Sequence, residues 1–173
     1  MGGMPAPGDD AGFAEIVREH QAMVFSVALH FLGHRELAED LAQDVFIQLY
    51  QHLDRIQSRV HLRFWLRKVT AHRCIDAARR AAGSRWVSLD QTPEPASCEA
   101  PSDPILAERL RRVLGSLPAR SRMLVILRYQ EELELHEIAE MMEMPLNTVK
   151  SSLQRALALL RAKLSRSVEG VGT

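Results

Sequence analysis

Four polar side chains suited to binding DNA recur within two turns near the end of the sequence: Lys150, Ser151, Gln154 and Arg155. Their ammonium, hydroxyl, amide and guanidinium groups are the donors that proteins use on phosphates and on base edges. Spacings of three and four residues place such groups on one face of a helix. The apolar residues of the same stretch form a separate stripe: Val149, Leu153, Leu157, Leu160 and Leu164. The pattern predicts an amphipathic helix whose polar face can enter a groove of DNA.

A shorter helix is predicted just before this one, over residues 135–142, and Pro145 ends it. Proline cannot lie in a helix interior, and Asn147 is a good N-cap, so we expect the next helix to begin near Thr148. Two short helices joined by a tight turn are typical of helix-turn-helix DNA-binding units.

Charge is distributed unevenly along the chain, although the formal net charge is zero. Residues 130–144 contain six acidic residues and no Lys or Arg, whereas residues 145–166 contain five basic residues and no acid. Residues 59–86 sum to +7 (eight bases, one acid), and residues 35–54 sum to −4 (one base, five acids). This segregation predicts faces that serve different partners.

The acidic segment has the apolar spacing of a helix from about Arg35 to Leu53 that buries Leu37 and later positions of the same stripe. A second stripe of that helix carries carboxylates and amides: Asp40, Gln43, Asp44, Gln48 and Gln51. Asp40 and Asp44 lie one turn apart, which is unfavourable unless a basic partner faces them. The stripe is therefore a candidate protein-binding surface.

A third helix is predicted from about His61 to Ala82, and Gly83 ends it. Bases and hydrogen-bond donors line one side of it: Arg63, Arg67, Lys68, His72, Arg79 and Arg80, with Asp76 among them. Such a face suits single-stranded DNA, with phosphates on the cations and unstacked bases beside them. Trp65 falls beside Leu66 and Val69, and we expect it to anchor the core.

Other classes of function find little support. Cys74 and Cys98 have no C-x-x-C spacing, and the seven histidines lack ligand spacing, so we predict neither a metal site nor a cofactor. No nucleophile elbow, phosphate loop or clustered carboxylate and histidine set points to an enzyme. No apolar run approaches ~18 residues and the N-terminus is polar and acidic, so we expect a cytoplasmic protein without membrane insertion.

The sequence predicts an all-α protein of two small helical domains. Residues 9–83 form an N-terminal helical bundle whose first helix ends at Gly33. Residues 105–166 form a C-terminal helix-turn-helix domain. Within it, helices that begin at Ile105 and at Pro118 come before the helix-turn-helix unit. Residues 84–104 hold four prolines and four acids with little periodicity, and we expect a flexible acidic linker there.

Three motifs in this order resemble an extracytoplasmic-function (group 4) sigma factor of the sigma-70 family. AEDLAQDVF at residues 38–46 looks like the signature of the second helix of the family's first domain. WLRKVTAHRCIDAARR at residues 65–80 looks like its promoter-melting helix. LPARSRMLVILRY at residues 117–129 and EIAEMMEMPLNTVKSSLQRA at residues 137–156 look like its promoter −35 domain.

The resemblance implies a factor that binds core RNA polymerase and directs promoter-specific initiation, melting the −10 element and recognising the −35 element. It implies core binding by Asp40, Gln43, Asp44 and Gln48. It implies −10 contacts by Arg63, Arg67, Lys68, His72, Arg79 and Arg80, with the loop at residues 55–63 capturing a flipped base. It implies −35 contacts by Thr148, Lys150, Ser151, Ser152, Gln154 and Arg155. Core polymerase, promoter DNA and an anti-sigma factor are the implied partners.

The chain departs from the family's usual pattern at several positions. His72 stands where Asn is common, and Ser152 stands where Arg is common, which removes a candidate bidentate contact. Asn147 replaces a usual glycine, and the loop at residues 55–63 lacks the usual aromatic pattern and glycine. These departures bear on promoter choice.

Two other readings of the DNA-binding features are open. A helix-turn-helix regulator could bind DNA without polymerase, but we see no heptad zipper or second symmetric interface for a dimer on paired half-sites. An adaptor that binds polymerase and blocks initiation would keep the stripe of Asp40 and Asp44. It would not need the basic third helix.

Overall fold

The computed structural model describes residues 10–83 and 104–169, and its regular elements within these ranges are all helical. The helices in chain order are α1 Asp10–Leu32, α2 Arg35–Gln51, a 3-10 turn Leu53–Arg55, α3 Arg59–Gly83, α4 Pro104–Gly115, α5 Ala119–Tyr129, α6 Leu135–Met141 and α7 Leu146–Glu169. The prediction of an all-α protein is confirmed. The predicted linker lies outside the described residues except for Pro104, which opens α4, and Cys98 lies outside them as well.

Helices α1, α2 and α3, the N-terminal helices, pack around a core of fully buried side chains that includes Val24, Leu49 and Leu66. Gly33 ends α1 as predicted: its φ of 74° is in the left-handed region, and its N–H donates to the carbonyl of Leu29 at 2.8 Å. Ser58 caps α3, because its hydroxyl accepts from the N–H of His61 at 3.1 Å.

The predicted burial of Leu37 is wrong. Its side chain is 53% exposed, while the neighbouring Ala38 is fully buried. The small Ala38, rather than Leu37, therefore takes the buried position in the first turn of α2. From Leu41 onward the predicted stripe is confirmed, since Leu41, Val45, Leu49 and Leu53 are all buried.

The helix-turn-helix unit consists of α6 and α7. A capping box opens α6: Glu134 and Glu137 each accept from the other residue's backbone N–H. A Schellman motif closes α6, with the N–H of Met144 on the carbonyl of Ala139 at 2.9 Å. The predicted N-cap at Asn147 is wrong, because α7 begins at Leu146 and the N–H of Thr148 bonds to the carbonyl of Pro145 at 2.9 Å. The rigid φ of Pro145 lets the chain turn into α7 two residues earlier than expected.

Helices α4 to α7, the C-terminal helices, bury the apolar face of α7 against α5 and α6. Its buried positions are Val149, Leu153, Ala156 and Leu160, and Leu157 is half-buried. The C-terminal helices also pack on the N-terminal ones, with α4 and α5 on α1, and α5 and α6 on α3.

Arg122 joins the two groups of helices. Its guanidinium donates to the carbonyls of Leu114, Gly115, Leu117 and, across the interface, Phe31 at 2.8 Å. It also stacks 4.9 Å above the centre of the Phe31 ring. Burial lowers the pKa of this guanidinium, which remains a cation at physiological pH.

Candidate nucleic-acid interface

Three of the four predicted core-binding residues in the acidic stripe of α2 are free within the described chain. Asp40, Gln43 and Asp44 are exposed and form no side-chain hydrogen bond or ion pair there. Gln48 is half-buried, and its amide oxygen accepts from the Arg73 guanidinium at 3.1 and 3.3 Å. These residues therefore offer two carboxylates and one amide to a partner, while Gln48 ties α2 to α3.

A groove of about 850 Å³ runs beside this stripe between α1 and α2. Aromatic and aliphatic side chains form most of its lining, and Gln43 stands at its edge. Ile47, 57% exposed, and Tyr50, 47% exposed, are large apolar groups left open to solvent. This surface combines an apolar floor with a polar rim that includes Gln43 and Gln51, as protein interfaces commonly do.

The basic face of α3, which comprises the six predicted −10 residues, is divided in two by the C-terminal helices. Arg67 and Lys68 form ion pairs with residues of the acidic turn segment, residues 130–144, and His72 hydrogen-bonds to its backbone. Arg63 is exposed and lines a small cavity between α3 and α6, together with Leu133, Glu137 and Met141. Arg79 and Arg80, farther along α3, remain exposed.

The far end of the basic face is only weakly engaged. Arg79 lies 3.9 Å from Asp76 on the same helix, and both side chains are 60% exposed. An exposed pair of this length contributes little to stability and leaves the guanidinium available. Arg80 forms no ion pair within the described chain.

A polar cavity of about 440 Å³ opens between α2 and α3. Its lining includes Trp65 and Phe64 together with the cationic side chains of Lys68 and Arg73. Trp65 is half-buried and packs against the core, so the predicted anchor is also part of a cavity wall. The predicted base-capturing loop at residues 55–63 is wrong beyond Ser58, because α3 begins at Arg59 and leaves only residues 56–58 between the 3-10 turn and the helix. His61 lines this cavity from the first turn of α3, and Ile56 and Leu62 are buried.

The recognition face of α7, which comprises the six predicted −35 residues, is open. Thr148, Lys150, Ser151, Gln154 and Arg155 are exposed. The Arg155 Nε donates to the carbonyl of Ser151 at 3.2 Å, which aligns the guanidinium along the helix. Ser152 is half-buried rather than fully on the exposed side, because it lies next to the buried Leu153 stripe.

Two buried groups of the N-terminal helices show the local electrostatics. Desolvation lowers the pKa of His20, and the nearby cations Arg63, Arg59 and Arg67 lower it further, against the opposing effect of Glu19. Burial raises the pKa of the Cys74 thiol to about 12, so this cysteine is an inert part of the core.

The described residues contain no group of three or more histidine, cysteine or acidic side chains placed to hold a metal ion. None of their helices is long and apolar enough to span a membrane.

The acceptors that bind the basic face of α3 could not be identified from the sequence. They are Glu131, Glu143 and the carbonyl of Met141. The contrast between the basic residues 59–86 and the acidic residues 130–144 is evident from the sequence. It could not show which acidic residue pairs with which base, because Arg67 and Glu131 are 64 residues apart in sequence.

The family models locate both halves of the chain. Residues 16–83 match the model of sigma-70 region 2, and residues 107–160 match that of sigma-70 region 4. The first range contains α3, and the second contains α6 and the part of α7 up to residue 160.

Curated relatives agree with these matches. The chain is 28% identical over 171 residues to the ECF RNA polymerase sigma factor SigW of Bacillus subtilis, covering 91% of each chain. It is 30% identical over 170 residues to the ECF RNA polymerase sigma factor SigE of Mycolicibacterium smegmatis, covering 93% of this chain and 66% of that one.

Solved structures share the fold. One is the sigma factor RpoE in complex with the anti-sigma factor NepR from Bartonella quintana, with a TM-score of 0.72 at 20% identity, covering 88% of this chain and 96% of that one. Another is CnrH in complex with the cytosolic domain of CnrY, with a TM-score of 0.66 at 22% identity, covering 92% and 91%. With both sigma-70 regions present in order, the chain belongs to the extracytoplasmic-function group of the sigma-70 family, the RNA polymerase sigma factors that direct promoter-specific transcription.

Proposed function

We propose that three surfaces have separate roles in transcription initiation. The acidic stripe of α2 binds core polymerase, and the basic face of α3 binds the melted −10 strand. The recognition face of α7 binds the −35 element. The observation that carries the proposal is the exposed, unpaired state of Asp40, Gln43 and Asp44 beside an apolar groove. A like-charge pair one turn apart is favourable only against a basic partner.

The two DNA surfaces suit different forms of DNA. The recognition face of α7 is a convex helix surface with exposed Lys150, Gln154 and Arg155, which fits the major groove of a duplex. The basic face of α3 borders a polar cavity with aromatic walls, which fits phosphates and unstacked bases of a single strand.

The protein acts as a DNA-binding initiation factor in the cytoplasm, and the polymerase rather than this chain supplies the chemistry. Control by an anti-sigma factor is part of the proposal. Its support is the similarity to RpoE, which was solved with the anti-sigma factor NepR, and the apolar groove between α1 and α2. Such a groove suits the apolar side of an amphipathic partner helix.

Run-off transcription tests the proposal directly. Purified chain is added to bacterial core polymerase, and templates are selected from genomic fragments that the reconstituted holoenzyme retains. We expect discrete transcripts that core polymerase alone does not make. Tight, specific binding of duplex DNA by the free chain at about physiological salt, without stimulation of polymerase, would favour the free-standing regulator instead.

A charge reversal tests the α2 surface. Asp40→Arg should weaken binding of core polymerase by roughly tenfold or more, because reversing a charge at a complementary interface costs several kcal/mol. Glu15→Arg is the matched control, since Glu15 is an exposed acid on α1 outside the stripe. Equal affinity of the two variants for core would show that the stripe is only solvated surface.

A further inference from the structure

The acidic turn segment covers one half of the basic face of α3. Arg67 Nε lies 2.9 Å from Glu131 Oε2, and this pair is largely buried, with side chains 21% and 8% exposed. Lys68 Nζ lies 2.7 Å from Glu143 Oε1 at the surface. His72 Nε2 lies 3.2 Å from the carbonyl oxygen of Met141, so this nitrogen carries the proton and donates.

We propose that the protein inhibits itself. In this structure the C-terminal helices lie against α3, which we call the closed arrangement. Glu131, Glu143 and the carbonyl of Met141 then occupy the groups of α3 that would hold the −10 strand. The inference rests on the proposed role of α3 in binding DNA. Single-stranded DNA and the acidic turn segment then compete for Arg67, Lys68 and His72, and engagement of the −10 element requires the C-terminal helices to leave α3.

The competition follows from the chemistry of the contacts. A carboxylate and a phosphate oxygen offer the same kind of charged acceptor to an Arg or Lys donor. Arg67 donates through Nε to Glu131 and has only 21% of its side chain exposed, so a phosphate cannot approach this edge while Glu131 is present. Arg63 faces the same interface across the small cavity lined by Leu133 and Met141.

The side chain of Glu143 reaches α3 from a left-handed backbone position. Glu143 has a φ of 53°, a left-handed conformation at the end of α6 that glycine adopts far more readily. A glutamate there carries a conformational cost, and its carboxylate reaches Lys68 across the interface. Glu132 of the same segment has a similar φ of 54°, so the contact with Lys68, and not the conformation, distinguishes Glu143. The hydrogen bond from Lys68 and its positive charge hold the pKa of the Glu143 carboxyl below the usual value, so the pair is ionised at neutral pH.

Packing of the C-terminal helices on α3 does not cover the other proposed binding surfaces. The recognition face of α7, the acidic stripe of α2 and the pair Arg79 and Arg80 all remain exposed. The closed chain can therefore meet polymerase while half of its −10 surface is blocked. The apparent affinity for a single strand is the intrinsic affinity reduced by the small fraction of open molecules.

The test measures single-strand binding by full-length variants. The probe is a fluorescein-labelled strand of about 20 thymidines, followed by anisotropy at low salt. The opening variant combines Glu131→Gln and Glu143→Gln. The matched control combines Glu132→Gln and Glu140→Gln, two exposed acids of the same segment whose side chains form no hydrogen bond or ion pair with α3. Both variants change the net charge equally, so long-range attraction to DNA is the same.

We expect the opening variant to bind the strand about fivefold or more tightly than the control, because a larger fraction of it is open. Equal affinities would overturn self-inhibition. Circular dichroism checks folding, and if the loss of the buried Glu131 charge unfolds the protein, Glu143→Gln against Glu140→Gln carries the same comparison, since Glu143 is exposed.

A third arm separates this inference from the proposed function. Adding Arg67→Ala and Lys68→Ala to the opening variant should abolish its gain in affinity over the control, because opening releases these two cations, whereas Arg79 and Arg80 are already exposed in the closed chain. If the gain persists, the strand binds elsewhere, which refutes the DNA-binding role of α3 and self-inhibition with it. A failure of self-inhibition alone would leave run-off transcription and the effect of Asp40→Arg intact.

Discussion

The basic face of α3 and the recognition face of α7 have similar chemistry but differ in what already touches them. On α3, Arg67 and Lys68 are paired with glutamates of the acidic turn segment. On α7, Lys150 is exposed and forms no ion pair in the described chain, and Arg155 bonds only to the backbone of its own helix.

The difference shows that a set of cationic donors marks a possible DNA surface without showing whether it is available. Availability depends on acceptors elsewhere in the chain, which here lie 64 and 75 residues away in sequence. Under the proposed function, the recognition face of α7 is available to duplex DNA in the closed chain. The basic face of α3 would first have to lose its internal partners.

The comparison depends on the contact that joins the two groups of helices, and we expect its removal to have the largest effect. Arg122→Ala should lower the free energy of unfolding by about 1–3 kcal/mol, because four carbonyl groups lose a charged donor. Arg122→Lys should recover only part of the loss, since one ammonium cannot span the positions that the guanidinium reaches. Urea unfolding followed by circular dichroism measures both.

Arg120→Ala is the control for this experiment, because Arg120 is exposed on the same helix and its side chain forms no hydrogen bond or ion pair within the described residues. If Arg122→Ala is no more destabilising than Arg120→Ala, Arg122 does not hold the C-terminal helices against α1. The arrangement in which the C-terminal helices cover α3 would then lack one of its proposed stabilising contacts.

The two DNA surfaces should separate in transcription assays. Arg79→Ala with Arg80→Ala, and Lys150→Ala with Arg155→Ala, should each reduce initiation on a duplex promoter roughly tenfold, as lost base or phosphate contacts typically do. A template premelted at the −10 element should rescue the α3 variant, because the DNA is already open, but not the α7 variant. Equal losses of the α3 variant on both templates would contradict a role in melting.

The helices could largely be predicted from the sequence, because apolar spacing and end signals act locally. Gly33 ends α1 as expected, and the stripe of α2 is buried from Leu41 onward. The errors are shifts by one or two residues: Ala38 is buried in place of Leu37, and α7 begins at Leu146 rather than near Thr148. Periodicity alone cannot decide between adjacent positions at the end of a helix.

The contacts between the two groups of helices could not be predicted, because they depend on tertiary packing. Composition showed a basic segment and an acidic segment, yet only the packing of α5 and α6 on α3 selects Glu131 for Arg67 and Glu143 for Lys68. The exposed glutamates of the same segment, Glu132 and Glu140, have the same chemistry and no partner on α3.

A smaller effect is expected at the edge of the recognition face. Ser152→Arg should raise affinity for all −35 duplexes by less than tenfold and steepen the salt dependence by about one unit, because a half-buried position directs a long side chain toward phosphate more readily than toward bases. Titration of matched and scrambled duplexes at several salt concentrations measures both quantities. Ser151→Arg, at a fully exposed position, is the comparison.

A gain restricted to the matched duplex would mean instead that position 152 reaches a base edge, where a bidentate contact discriminates by about 1–3 kcal/mol. No gain on either duplex would show that this position does not face DNA. The rotation of α7 in the groove would then differ from the one that its exposed residues indicate.

The smallest effect concerns His20, which lies beside the basic face and reports its charge. Its pKa in the folded chain is lowered, first by burial and then by Arg63, Arg59 and Arg67, with Glu19 opposing. The unfolded chain therefore binds a proton at His20 more readily than the folded chain, and stability falls as the pH drops below about 6.5. His20→Gln should remove this part of the pH dependence between about pH 7 and 5, measured by urea unfolding at each pH.

The same histidine can test whether α3 is covered. In the closed chain the negative charge of Glu131 offsets that of Arg67, one of the cations that act on His20. Glu131→Gln leaves Arg67 without this compensation, so the pKa of His20, followed by NMR titration, should fall further below its usual value. Glu132→Gln removes the same charge from a residue that does not meet α3, and an equal fall in that variant would contradict direct pairing of Glu131 with Arg67.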